Sequence, residues 1–199
     1  MKVIGIDLAG SPNHVTGICI LNGTPFCKTF AVHNDEDILG TVLKARPDVI
    51  SIDAPLSLPR GRKSIDQKDT HHFRKCDLEL RKMKIRFFPV TLGPMRMLTA
   101  RGMKLKEQFE KYRLNVIESY PGGAQDILRM PRKQKGIERL RKALIKFGIK
   151  GDVEKKYITH DELDAITCAI VGRMYLQKKY LALGDKKEGL MIMPKPKVK

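Results

Sequence analysis

Two stretches of this sequence share one form. Val3-Ile4-Gly5-Ile6-Asp7 is an apolar, largely β-branched run that stops on an acid and then turns through Gly10, and Val49-Ile50-Ser51-Ile52-Asp53 does the same before Ala54-Pro55. Residues of this kind suit central strands. An ionised carboxylate leaving an apolar strand needs a counter-charge, a hydrogen-bond donor or a metal, or else it only caps the turn that follows. Between the two runs lie a second strand from Asn13 to Leu21, the turn signal Asn22-Gly23 and a third strand from Pro25 to Val32, which together predict an antiparallel meander. Asn34-Asp35-Glu36-Asp37 then reads as an N-cap with acids in the first turn, leading into Ile38, Leu39, Val42 and Leu43 at helical spacing up to Pro47. A strand reached by a helical crossover pairs parallel to the first. Asp7 and Asp53 are therefore expected side by side at one end of the sheet.

Residues 54–100 have little regular pattern beyond a short helix expected from about Lys68 to Met83 and the apolar anchors Phe87 and Phe88. A loop-rich segment of that length inside a domain is usually functional. A helix from Thr99 to Lys111 follows, then a strand from Asn115 to Ser119 that carries Glu118, and a very basic helix over 133–147. The last long helix is expected to start near Thr159-His160-Asp161-Glu162 and to run to about Leu183, and the stretch 186–199 reads as a mobile basic Pro/Lys tail. The fold expected is a single α/β domain over 1–185. It has a mixed five-stranded sheet whose first three strands form the meander, helices on both faces, and a loop and helix insertion at about 55–101 after the fourth strand.

Asp161 and Asp164 are spaced i, i+3, which puts both carboxylates on one face of the last helix. If that face crosses the strand ends, Asp7, Asp53, Asp161 and Asp164 converge. Such a cluster calls for a hard cation with oxygen ligands, Mg²⁺ or Mn²⁺. Glu118 is a further candidate ligand.

The net charge of +17 is spread unevenly: residues 1–59 carry −2, residues 60–146 carry +15 and residues 147–199 carry +4. Such a surface attracts polyanions, nucleic acid first; the bland alternative is a lysine-rich solvated surface of the thermophile kind. No apolar run has the roughly 18 residues of a membrane span, and the start of the chain has no signal-peptide pattern, so a soluble cytoplasmic protein is expected. Cys19, Cys27, Cys76 and Cys168 have no paired spacing for zinc or a disulfide framework.

The pieces Gly5-Ile6-Asp7-Leu8-Ala9-Gly10, Ser51-Ile52-Asp53-Ala54-Pro55-Leu56, Arg74-Lys75-Cys76-Asp77 with Arg81, Glu118-Ser119-Tyr120-Pro121-Gly122 and Asp161-Glu162-Leu163-Asp164-Ala165 together resemble domain-of-unknown-function family 429, whose members are described as predicted nucleases of RNase H-like fold. The resemblance covers residues 1 to about 175. It implies metal-assisted phosphodiester hydrolysis of DNA or RNA with Asp7, Asp53, Asp161 and Asp164 as the catalytic carboxylates. In the two-metal arrangement it implies, Asp7 bridges the ions, Asp53 and Asp164 each hold one, and Asp161 is an outer ligand. Position 53 carries Asp where many RNase H-like nucleases have Glu. Arg60, Arg62, Lys63, Arg74, Arg81, Arg96 and Arg101 are expected to hold the phosphate backbone, and a resolvase-like role would ask for a homodimer.

Plainer readings stand beside these. Glu118 is equally a salt-bridged strand end. His160 reads as a helix-start residue, Asp77 with Arg74 and Arg81 as an ion-pair ladder on one helix, and Gly122-Gly123 as a turn. His71-His72 with Cys76 and Asp77 has no second ligand pair suited to zinc. Two other functions compete. One is a non-catalytic nucleic-acid-binding protein; the other is an ATP-binding phosphotransferase, because residues 5–11 also resemble the first phosphate loop of actin-like ATPases and sugar kinases.

Overall fold

The structure, a computed structural model, describes residues 1–196. β1 (Val3–Asp7), β2 (Thr16–Leu21) and β3 (Phe26–Val32) form the antiparallel meander, α1 (Asp35–Ala45) crosses over, and β4 (Val49–Asp53) pairs parallel to β1 with Asp7 opposite Asp53. Asn34 caps α1 through its side chain, which accepts from the Asp37 amide at 2.7 Å. Then come α2 (Lys75–Lys82), α3 (Gly93–Lys111), β5 (Val116–Ser119), α4 (Pro121–Ile127), α5 (Ile137–Lys146), the two-residue β6 (Lys150–Gly151), α6 (His160–Leu176), β7 (Tyr180–Asp185) and β8 (Gly189–Pro194).

The result is a mixed α/β fold whose strands run in the order β6-β3-β2-β1-β4-β5-β8-β7. The inner order 3-2-1-4-5 is the RNase H-like arrangement expected, but the sheet has eight strands where five were expected. The stretch expected as a tail is largely β8, which slots between β5 and β7; only residues 197–199 of it lie outside the described residues. The last helix accordingly stops at Leu176 rather than Leu183. Gly184 and Gly189, at φ +103° and +136°, turn the Asp185–Gly189 hairpin, and Met191, Ile192 and Met193 are buried beneath it. α2 also begins later than expected. Residues 62–71 fold around the buried Arg62 guanidinium, which donates to the carbonyls of Ser64, Ile65, Gln67, Asp69 and His71.

Strand alternation assigns the two faces. Ile4, Ile6, Ile50 and Ile52 pack against α1 and α3 through Ile38, Val42, Leu105 and Phe109. Val3, Cys19 and Val49 face the other way, onto α6 and α5 through Leu163, Ile166, Ile170, Leu140 and Leu144. Gly5 and Asp7 share that second face with Val3. α6 lies so close to it that a Cβ at Gly5 would come within 2.1 Å of the Ala165 carbonyl oxygen, and one at Gly17 within 2.3 Å of the Asp161 carbonyl oxygen. The helix is buried from Leu163 to Gly172 on all sides. A single broad apolar face describes it poorly, because α4 and α5 cover the side away from the sheet. Among the described residues no helix is long and apolar enough to cross a membrane.

Candidate metal centre

α6 sets the site. Thr159 accepts from the Glu162 amide at 3.2 Å while Glu162 Oε2 accepts from the Thr159 amide at 2.9 Å, a capping box that fixes the first turn. Thr29 on β3 donates to Glu162 Oε1 at 2.7 Å and ties that turn to the sheet. With Gly5 and Gly17 bringing the helix down onto β1 and β2, Asp161 and Asp164 arrive over the strand ends that carry Asp7 and Asp53. All four predicted carboxylates lie in this region, near enough for the charges of Asp53, Asp164 and Asp161 to act on Asp7, at different depths. Asp7 and Asp164 are buried, Asp53 keeps one edge open to solvent, and Asp161 stands at the rim with His160 Nδ1 at 2.8 Å.

The cluster holds two groups that the sequence did not single out. Lys133, in a 3-10 turn ahead of α5, places its Nζ 2.8 Å from Asp164 Oδ2 and 3.9 Å from Asp7 Oδ2. Gln125 on α4, itself buried, donates its Nε2 to Asp164 Oδ1 at 2.7 Å and to Thr167 Oγ1 at 3.2 Å. Gln125 reaches Asp164 because Gly122-Gly123 is the start of α4 and not a free turn; a Cβ at Gly123 would fall 2.6 Å from Met193 Cε. Nothing in the basic run around Lys133 sets it apart from its neighbours. A spacing argument for Gln125 needs α4 to be recognised first.

The electrostatics are those of crowded acids. Burial first, then the charges of Asp53 and Asp164, hold the Asp7 carboxyl well above the usual carboxylate range. Burial and Asp164 push Asp53 up to about 8, against the pull of Lys133. Burial alone would lower the Lys133 ammonium, but Asp7 and Asp164 outweigh it and keep that group above the usual lysine range. Asp7 Oδ2 is buried and accepts no hydrogen bond. Among the described residues no three His, Cys, Asp or Glu side chains are grouped so as to hold a metal ion, and the Lys133 ammonium stands beside Asp164 and Asp7. The donor set is nonetheless the all-oxygen kind that Mg²⁺ or Mn²⁺ takes, and Asp7 Oδ2, with no hydrogen bond and with Lys133 at 3.9 Å as its cation, is the least satisfied oxygen in it. By type these residues suit a hard divalent ion; the positive charge beside Asp164 is the Lys133 ammonium.

Glu118 is not part of this donor set. Its Oε1 accepts from Arg74 at 2.8 Å, and its Oε2 accepts from Arg74 at 2.7 Å and from the Leu56 amide at 2.8 Å. Arg74 is only 2% exposed and also grips Asp77, so of the ladder expected on one helix only the Arg74–Asp77 pair forms, joined by Glu118 in a buried network, while Arg81 lies over the Phe73 ring instead. Arg62 and Arg101 are buried too. Arg101 bonds Asp35 at 2.8 Å and the carbonyls of Ala9 and His33 at 2.7 Å each. Three of the seven basic residues expected to contact phosphate are thus internal braces, a correction that follows from their burial. Arg60, Lys63 and Arg81 are exposed and Arg96 is partly so; Arg60 pairs with Asp185 and Arg96 with Asp66. His71 pairs with Asp69 and His72 with Thr91, away from the buried Cys76. All four cysteines are free, and Cys19 lies opposite Thr29, because the β2–β3 connection is longer than a two-residue turn.

A family model described as "Protein of unknown function (DUF429)" matches residues 5–188. Among solved structures, "T. thermophilus RuvC in complex with Holliday junction substrate" is similar at 14% identity and a TM-score of 0.49, over 89% of this chain and 96% of that one. "Thermus thermophilus RuvC structure" is similar at 15% identity and a TM-score of 0.47, over the same shares. No curated protein matches.

Proposed function

This chain belongs to the DUF429 family, and from its carboxylate cluster we propose that it is a nuclease hydrolysing phosphodiester bonds with Mg²⁺ or Mn²⁺. The observation that carries the reading is Asp7 Oδ2, buried and accepting no hydrogen bond between Asp53 and Asp164. A carboxylate oxygen left so in a protein interior is costly unless it holds a charge. Asp7, Asp53 and Asp164 are the residues to hold the ion, and Asp161 at the rim is an outer donor. When bound, such an ion polarises the phosphoryl oxygen and acidifies the attacking water. Gln125 keeps Asp164 Oδ1 occupied, so that Oδ2 alone is presented to the site. Lys133, once off Asp164, has its ammonium at the mouth of the cluster, where it can meet a phosphate oxygen. Arg60, Lys63, Arg81 and Arg96 are the surface cations suited to the flanking backbone.

One observation favours a second reading. Lys133 already supplies a positive charge to Asp164, which is what a purely structural cluster in a non-catalytic nucleic-acid-binding protein would need. The two readings separate on a panel of single-stranded, duplex, hybrid and branched DNA and RNA with either metal. The nuclease cuts at least one substrate, needs the metal, and loses cleavage in both Asp7→Asn and Asp53→Asn. Wild-type protein that binds but cuts nothing across the panel sinks the enzyme reading.

A further inference from the structure

A cleft of about 1220 Å³ opens beside the carboxylate cluster. Its floor is aromatic: Phe73 and Phe87 meet edge to face with centroids 6.1 Å apart, and Phe88 stands 67% exposed at the lip. Its walls are cationic, lined by Arg81, Lys84, Arg86, Arg132 and Lys135 against a single acid, Asp126, which Arg132 neutralises. The Arg81 guanidinium lies 4.3 Å from the Phe73 ring centroid. On the near side Tyr120 donates to the Arg86 carbonyl at 2.6 Å and accepts from Arg132 at 3.0 Å, which holds the wall in place.

The cleft is joined to the cluster at two points. Tyr120 follows Ser119, the β5 residue paired with Asp53. Arg132 and Gln134 line the cleft while Lys133 between them turns to Asp164. The cleft and the cluster are therefore neighbours through Tyr120 and the 132–134 turn. An exposed ring, Phe88, beside the partly buried Phe73 and Phe87 and set among Arg and Lys is what unpaired nucleotides need, a ring for base stacking and cations for the phosphates. A base-paired duplex hides its base faces and gains nothing from Phe88.

Resting on the nuclease reading, we propose that this cleft binds unpaired nucleotides of the substrate, stacking a base on the Phe88 and Phe73/Phe87 surface and leading the adjoining phosphate to Asp7 and Asp53. The substrate class is then nucleic acid with a single-stranded or extruded segment.

The test is fluorescence-polarisation binding in EDTA, where nothing is cut, using labelled single-stranded DNA and RNA oligonucleotides, the same strands with a run of abasic sites, and a blunt duplex. Wild type should bind the intact strand of at least one sugar type about 5- to 100-fold more tightly than its abasic counterpart. Phe88→Ala should erase most of that difference while leaving abasic-strand binding unchanged. Equal affinity for intact and abasic strands of both sugars, or Phe88→Ala with undiminished base dependence, overturns the cleft assignment whether or not the protein cleaves. Base-dependent binding without any cleavage on the wider panel would keep the cleft and remove the nuclease.

Discussion

Arg74→Met is the substitution that most sharply separates an internal brace from a nucleic-acid contact. The guanidinium is held between two buried carboxylates, with donor distances of 3.2 and 3.0 Å to Asp77 and of 2.7 and 2.8 Å to Glu118. The side chains of Asp77 and Glu118 are 3% and 4% exposed, so neither can be rehydrated in place when the arginine goes. Removing one partner of a buried ionic group costs about 3–5 kcal/mol, because the charge left behind keeps its desolvation without its partner. For a domain of this size, about 2–4 °C of melting temperature is lost per kcal/mol. Arg74→Met should thus melt about 6–20 °C below wild type, with a matching fall in the urea midpoint and an unchanged slope. Adding Asp77→Asn and Glu118→Gln should recover part of the loss, since the stranded charges go with them. Glu118 is also among the charges that raise the Asp53 carboxyl, so the brace stands within electrostatic reach of the site. A loss below about 1 kcal/mol, the range of an exposed pair, would refute the reasoning and return Arg74 to the surface cations.

Lys133→Met should leave the carboxylates without their internal cation: the metal-free protein becomes less stable, and Mn²⁺ titrated by calorimetry binds more tightly than to wild type. Weaker Mn²⁺ binding in the variant would mean that Lys133 assists the ion instead of competing with it. In EDTA, stability should fall as pH rises from about 4 to 8. Across that window the folded state, with Asp7 and Asp53 titrating above their unfolded values, binds more protons than the unfolded chain. Asp53→Asn should flatten that slope by up to about 1.4 kcal/mol per pH unit, and an unchanged slope in urea titrations at pH 5 and 8 would reject the assignment. Gly5→Ala forces a methyl to within 2.1 Å of the Ala165 carbonyl oxygen and should cost at least about 1–3 kcal/mol. Gly40→Ala in α1, where a Cβ meets nothing within 4 Å, should instead stabilise by about 0.5–1 kcal/mol; the two measured together distinguish steric clash from backbone entropy.

The order of strands around Asp7 was legible because two different signals agreed. The β-branched runs 3–7 and 49–53 have strand character, and a crossover with a named cap at Asn34 forces them parallel. Asp164 was legible from its spacing to Asp161. What stayed hidden depended on burial that composition does not display. Arg62, Arg74 and Arg101 look like any other members of a basic segment, yet they are its braces, because each found enough carbonyls or carboxylates to satisfy a planar, five-donor group inside the protein. Tyr180-Leu181-Ala182-Leu183 has no strand-type alternation of polarity, and only a partner strand 189–194 turned by two positive-φ glycines makes it an edge. Lys133 and Gln125 join the cluster through the packing of α4 and its neighbouring turn, a long-range event with no local spacing to announce it.

The contact of α6 with β1 and β2 is made by peptide groups, with no side chain between helix and sheet at Gly5 and Gly17. Side chains can change rotamer and cores can relax, but a backbone resting on a backbone has no compressible layer. The separation between the backbones that carry the strand-borne and helix-borne acids is therefore a fixed gauge. Mg²⁺ demands short, near-octahedral oxygen contacts, whereas Ca²⁺ accepts longer and looser ones. On the proposed metal reading, a frame of this stiffness would sort ions by radius: the cation would have to suit the gap, because the backbone beneath the acids cannot widen to suit the cation.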